Sequence, residues 1–287
     1  MTVTAPESIA NTYIGIDDLK SRMGISGTSN DAVLWSTLHA VSRAIDRFCN
    51  RHFYVIESVR IFDVDNAAVV AIPDLIVVTE ILEDRDGDRV FETTRSVAEY
   101  ALYPVNAAPE SAWGRPFVEI RSDLGLGVDE FSVGRSRLSI EGHWGYRFHT
   151  VDTGSVVSTG GGISSTVTVV PVDAANEIQA GMTIVAEGEQ MFVRSVTGTN
   201  LSVRRGVNGS TASTHADTTA ISMVAVPAEV SEATALLTSR YWKSKDATSI
   251  GIAGTTGFGA IRVRAGFDIE IEQLLGSIRK LAIGVGV

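Results

Sequence analysis

Alternating carboxylates at Asp84, Asp86 and Asp88 come close to a metal loop, since oxygens two positions apart can converge on a hard cation such as calcium. The pattern then fails. The sixth position of such a loop falls on Arg89 instead of glycine, and the twelfth on Arg95 instead of a bidentate glutamate. Asp86-Gly87-Asp88 reads better as a tight turn. The stretch Gly251-Ile252-Ala253-Gly254-Thr255-Thr256-Gly257-Phe258-Gly259 has the glycine content of a phosphate cradle. It lacks the Lys-Ser/Thr pair that would hold phosphate and magnesium, and its context predicts a preceding helix where a cradle needs a strand, so it reads as a mobile loop. His143 and His149 stand six apart, which is not a helical ligand spacing. Cys49 has Arg47 and Arg51 nearby, but a packed thiol explains it more simply than a reactive thiolate. No Gly-x-Ser-x-Gly elbow is present, and Asn208-Gly209-Ser210 has the glycosylation pattern without an export signal to give it meaning. The expectation is no catalytic residue, no metal and no cofactor, hence not an enzyme.

Composition narrows the classes further. The chain has 287 residues, with 34 acids against 24 bases and a formal charge of −10. That balance argues against a dedicated grip on nucleic acid, which needs many Lys and Arg to displace counterions. One cysteine excludes an intrachain disulfide, and no apolar run approaches the ~18 residues of a membrane span. The opening Met1-Thr2-Val3-Thr4-Ala5-Pro6-Glu7 lacks a basic segment followed by an apolar one, so a soluble protein made in the cytoplasm is expected. Charge is concentrated in the middle: residues 51–147 carry seventeen acids and ten bases, a solvated acidic face by default, and both ends are nearly neutral.

Those ends have helical periodicity. Residues 16–24 predict a short helix capped by Asp17 and stopped by Gly24. A longer one over 29–50 opens with Thr28 and Asp31 at capping-box spacing, aligns Leu34, Leu38, Val41, Ile45 and Phe48, and closes at Asn50. Pro227 suits the first turn of a third, whose face is Val230, Thr234, Leu237 and Tyr241. A fourth starts at Asp268 and aligns Ile271, Leu275, Ile278 and Ala282. Between them the apolar period drops to two. Strands are predicted at 75–81, 89–91, 100–103, 117–120 and 138–141, then at 166–169, 182–185, 191–194 and 201–204, with Gly160-Gly161-Gly162 as a spacer. The fold class is α+β. A helical bundle frame comes from 12–50 together with 226–287, a β-rich domain from 51–147, and a separate inserted β-barrel or sandwich from 148–225.

The end of the chain, Leu281-Ala282-Ile283-Gly284-Val285-Gly286-Val287, is apolar and uncharged after Lys280, so burial on this subunit or a neighbour is expected. Several segments in order then carry a resemblance. Tyr13-Ile14-Gly15-Ile16-Asp17-Asp18-Leu19-Lys20 leads to Ala44-Ile45-Asp46-Arg47-Phe48-Cys49-Asn50-Arg51-His52-Phe53. Ile72-Pro73-Asp74-Leu75, Tyr100-Ala101-Leu102-Tyr103-Pro104 and Gly142-His143-Trp144-Gly145-Tyr146 follow, then Val226-Pro227-Ala228-Glu229-Val230 and Arg240-Tyr241-Trp242-Lys243. In that order they resemble the head-to-tail connector (adaptor) proteins of long-tailed bacteriophages. In that family the Trp-Gly-aromatic strand leads almost directly into the Val-Pro helix, so 148–225 reads as an insertion. Within it, Met191-Phe192-Val193 and Arg204 through Ala212, with His215-Ala216, resemble a small β module recurrent in phage virion proteins.

What the resemblance implies is structural work in the virion neck, after assembly in the bacterial host cytoplasm. The implied partners are a homo-oligomeric ring of about a dozen copies closed by heterologous contacts, the portal protein, and a tail stopper or terminator. Double-stranded DNA would pass through without being read, which suits walls that are not basic. No membrane is implied. On this reading Leu281, Ala282, Ile283, Val285 and Val287 reach the portal, and the loop with Gly251, Gly254, Gly257, Phe258 and Gly259 meets the stopper or the lumen. A tail-completion or minor tail protein is the alternative, and a β-rich carbohydrate-binding module a second one. Four tryptophans and 7% aromatics leave the latter little stacking surface.

Overall fold

Alternation of apolar and polar residues governs the middle of the chain, and antiparallel ladders follow from it. The computed structural model describes residues 4–122, 125, 129–244, 252–253, 261–262 and 267–280. Two compact units result, one of residues 52–150 with 208–210, the other of the remaining described residues. Among the described residues the fold is α+β, with four α-helices, two six-stranded antiparallel sheets and one two-stranded pairing.

The first unit is built on strands β1 (Ile56–Val64), β2 (Val69–Glu83), β3 (Thr93–Thr94), β4 (Ala101–Tyr103), β5 (Phe117–Arg121) and β6 (Gly134–Trp144). Their order is β1-β6-β2-β5-β4, with β3 paired to β2. One face buries Val70, Leu75, Ile120, Leu138 and Ile140 around Trp144, whose indole N–H donates to the Ser58 carbonyl at 2.8 Å. Gly145 shows why glycine follows that tryptophan. Its φ is +154°, and a Cβ there would sit 2.5 Å from the Tyr54 carbonyl oxygen. The strand expected at 89–91 is displaced to Thr93–Thr94, because the Asp84 carboxylate accepts from the backbone N–H of Gly87 and of Arg89 and keeps the chain turning.

The second unit holds all four helices and the second sheet. Helix α1 (Ile16–Met23) ends at Gly24 in the left-handed conformation, as its sequence requires. Its N-cap is Gly15 and not Asp17, which lies inside the first turn. Helix α2 (Asp31–Cys49) starts at Asn30 without the Thr28–Asp31 capping box. Asp31 is engaged elsewhere, 2.7 Å from the Lys20 ammonium. Asn50 closes α2 with φ +52°. Helix α3 (Ala228–Ser244) follows Pro227, and α4 (Ile269–Gly276) is capped by Asp268, whose side chain accepts from the Ile271 N–H. The last helix stops at Gly276, short of the expected alignment through Ala282.

Strands β7 (Thr150–Val156), β8 (Val169–Pro171), β9 (Thr183–Ala186), β10 (Glu189–Thr197), β11 (Asn200–Arg204) and β12 (Ala220–Val224) make the second sheet, in the order β7-β12-β9-β10-β11-β8. It is an open sheet and not the closed barrel that was one expectation. Its outer strands run into a single bridge, Val157 opposite Val172, without forming a ladder. Nor is its core isolated from the helices. Leu34, Trp35 and Leu38 of α2 share one apolar cluster with Ala180, Phe192 and Val207 of the β segment.

Candidate functional site

Apolar spacing on the helices translates into burial. Leu34, Leu38, Val41 and Ile45 of α2, Val230 and Leu237 of α3, Ile271 and Leu275 of α4, and Ile278 just beyond it are all buried. Phe48 is half-buried and stacks on Phe267, ring centroids 4.4 Å apart. Tyr241, placed on the α3 face by spacing, is 41% exposed. Helix α2 packs on α3, and α3 on α4 and α1. Ion pairs pin these contacts: Arg22 of α1 holds Glu232 of α3, and Arg240 of α3 holds both Asp268 and Glu270 at the start of α4. The Lys280 N–H donates to the Cys49 carbonyl at 2.9 Å, so the segment after α4 returns to the end of α2.

Leu281, Ala282, Ile283, Val285 and Val287 lie outside the described residues, as do Gly251, Gly254, Gly257, Phe258 and Gly259. A two-residue pairing joins Ile252 and Ala253, near the start of the glycine-rich stretch, to Arg262 and Ile261 just beyond it.

Each unit carries a buried charge cluster whose partners are separated in sequence. In the second unit, Glu189 receives Arg205 on both carboxylate oxygens, at 2.6 and 2.7 Å. It also accepts from the backbone N–H of Gly206 and Ser213 and lies 2.8 Å from His215 Nε2. The other ring nitrogen of His215 is 2.9 Å from Glu187. Burial by itself would raise the Glu189 carboxyl, but these hydrogen bonds outweigh it and hold the group down at about 2. Arg205 spends its other donors on the carbonyls of Ser164, Val167 and Ser213, tying the loop after β11 to the segment before β8. Nothing in local spacing singles out Glu189, because its partners lie sixteen to twenty-six positions away.

In the first unit the fully buried Glu83 and Arg95 pair at 2.7 Å. Glu83 also accepts from the Ser132 N–H, and Arg95 donates to the carbonyls of Asp129 and Glu130. Both clusters spend their charged groups on internal partners, an arrangement that fixes loops.

The remaining candidates resolve similarly. Asp84, Asp86 and Asp88 do bring oxygens within 4.8 Å of one another. Asp84, however, is committed to two backbone N–H groups and to Arg137, and Asp86 and Asp88 accept from the N–H of Asp88 and Val90. This is the hydrogen bonding of a turn. Cys49 is buried, and burial pushes its thiol up to about 12, so Arg51 and Arg279 do not make it a nucleophile. The His143 ring packs edge-on against Phe148. An open cleft of about 480 Å³ is lined by Val151, Asp152, Thr153, Asn176, Glu177 and Met223. Its one hydroxyl, on Thr153, donates to the Ile221 carbonyl and accepts from the Ser155 N–H, so it is not poised for attack. No helix among the described residues is long and apolar enough to cross a membrane.

No protein-family model matches the chain, and no curated protein does. Among solved structures, a chain from the neck of an empty GTA (gene transfer agent) particle, computed with C6 symmetry, aligns over 100% of this chain and 99% of that one, with a TM-score of 0.44 and 13% identity. Likeness at that level establishes neither family nor role.

Proposed function

We propose that the chain is a structural protein of a phage-like neck, a head-to-tail adaptor whose copies close a ring between portal and tail, and that it is not an enzyme. The observation that carries this reading is the convergence of the chain's two ends. Helix α2 from one end and α3 and α4 from the other are built into one core, cross-braced by Arg22–Glu232 and Arg240–Asp268 and tied by Lys280 to Cys49. Such bracing suits a ring subunit, because small angular errors accumulate around a closed circle. The sequence adds the ordered connector-like segments and an acid-rich middle that would let DNA slide without adhering. On this reading the residues from Leu281 onward engage the portal, the Gly251–Gly259 stretch meets the stopper or lumen, and the site of action is the virion neck.

Electron microscopy of the purified protein, alone and mixed with portal-bearing heads of the same particle, tests this. Rings, or caps seated on the portal vertex, are expected. Monomers that leave the heads bare at saturating concentration would refute it, and monomers retained on a glycan array would move the assignment to the sugar-binding alternative.

A further inference from the structure

Trp113 is 91% exposed, a large apolar ring held in water. The loop that presents it, between β4 and β5, is not a slack one. Within it the Ala107 N–H donates to Pro104, Ser111 to Ala108, Gly114 to Ser111 and Arg115 to Ala107, all through backbone carbonyls at 2.8–3.1 Å. Two further bonds fasten it to the segment leaving β6: the Phe148 N–H donates to Pro109 at 3.0 Å, and the Arg147 guanidinium to the Ala112 carbonyl. The fold is tight enough that a Cβ on Gly114 would lie 1.8 Å from the Ala108 oxygen. A rigid loop that displays tryptophan, with exposed Arg115 two residues after it and exposed Val105 at the loop's start, is preorganised to bury an aromatic anchor in a partner.

A surface of matching chemistry lies elsewhere on the same unit. Among the described residues strand β1 pairs only with β6, at an edge of its sheet. Val59 and Ile61, two positions apart and so on one face, are each 58% exposed. On that face Glu141 stands opposite Val59, and Glu80 of β2 stands opposite Glu141. Both acids are exposed, neither meets a basic side chain among the described residues, and like charges directly opposed across a ladder repel. An apolar pair beside two uncompensated carboxylates is the complement of a tryptophan followed two residues later by an arginine.

We infer that the occupant of each surface is a second copy of this chain: Trp113 of one copy packs on Val59 and Ile61 of the next, and its Arg115 neutralises Glu80 and Glu141. The contact joins two different patches, one on the loop after β4 and the other on β1, at opposite ends of the strand order. It is therefore heterologous, the type that propagates around a ring. The inference rests on the adaptor reading and supplies its subunit contact.

Cysteine pairing tests it directly, because the one native thiol, Cys49, is buried and unreactive. A double variant, Ile61→Cys with Trp113→Cys, assembled at a concentration raised well above the wild-type threshold to offset the lost anchor, is expected to oxidise into a covalent ladder ending at the ring size. Either single variant should not. Trp113→Ala, at an exposed site and so expected to keep the circular dichroism spectrum of the unmodified protein, should raise the concentration needed for assembly at least about tenfold. Arg115→Glu should weaken assembly, and Glu141→Arg in the same chain should restore it. Normal rings from Trp113→Ala with no ladder in the double variant overturn this contact while leaving the adaptor reading standing. Normal rings from Trp113→Ala that no longer seat on heads assign the tryptophan to the portal and also overturn it. Absence of rings and caps from the unmodified protein overturns both.

Discussion

Glu189 gathers two side chains and two backbone amides on one carboxylate, and its titration should be visible in stability. Its folded value, about 2, lies below the ordinary glutamate value of 4.5. The stabilisation, about 3 kcal/mol by linkage, is present above pH 4.5 and is lost as pH falls towards 2. Urea unfolding between pH 7 and 2 should show that loss, and Glu189→Gln should flatten the slope while costing several kcal/mol at neutral pH. Asp46 has the opposite sign. Burial raises it to about 6 against the pull of Arg43, Tyr13 and Arg47, so its contribution is greatest below its unfolded value of 3.8 and fades as pH rises through 6. Asp46→Asn should remove that dependence, checked by the same titration. Cys49 should resist iodoacetamide in the native protein and react fully in urea. The sequence already favoured a packed thiol there. Neither carboxylate was legible as special, because each owes its environment to residues that only folding brings near.

At the scale of elements, the signals that proved readable are local ones. Gly24 and Asn50 stop their helices in the left-handed conformation, and Asp268 caps α4. Asp268→Ala should cost about 1 kcal/mol from the cap, and more through loss of the Arg240 pair, as measured by thermal unfolding. Leu237→Ala, fully enclosed in α3, should cost about 3 kcal/mol. What misled were residues with a second use: Asp31 had the spacing of a capping box but pairs with Lys20. Strands β7 and β12 went unrecognised because Thr-Val-Asp-Thr-Gly-Ser-Val and Ala-Ile-Ser-Met-Val carry little alternation, and their places are fixed by neighbours. Gly145→Ala should perturb the first sheet by about 2 kcal/mol or more, since the added carbon meets the Tyr54 carbonyl.

Across the whole molecule, deletion of residues 281–287 is expected to leave a folded protein that no longer attaches to portal-bearing heads, an outcome that pull-down with purified heads would read. Fold class was legible because helical and strand periods segregate along the chain. The open second sheet and its merger with the helices were not, since they depend on which apolar faces meet. That merger has a consequence for engineering. A Cβ on Gly181 would come within 3.2 Å of the Trp35 ring, and Phe192 and Ala180 belong to the same cluster. Excising 148–225 to obtain a shorter relative would therefore strip the cover from the tryptophan and leave an oily wound on α2. A designer wishing to discard these strands must first shrink or polarise positions 34, 35 and 38.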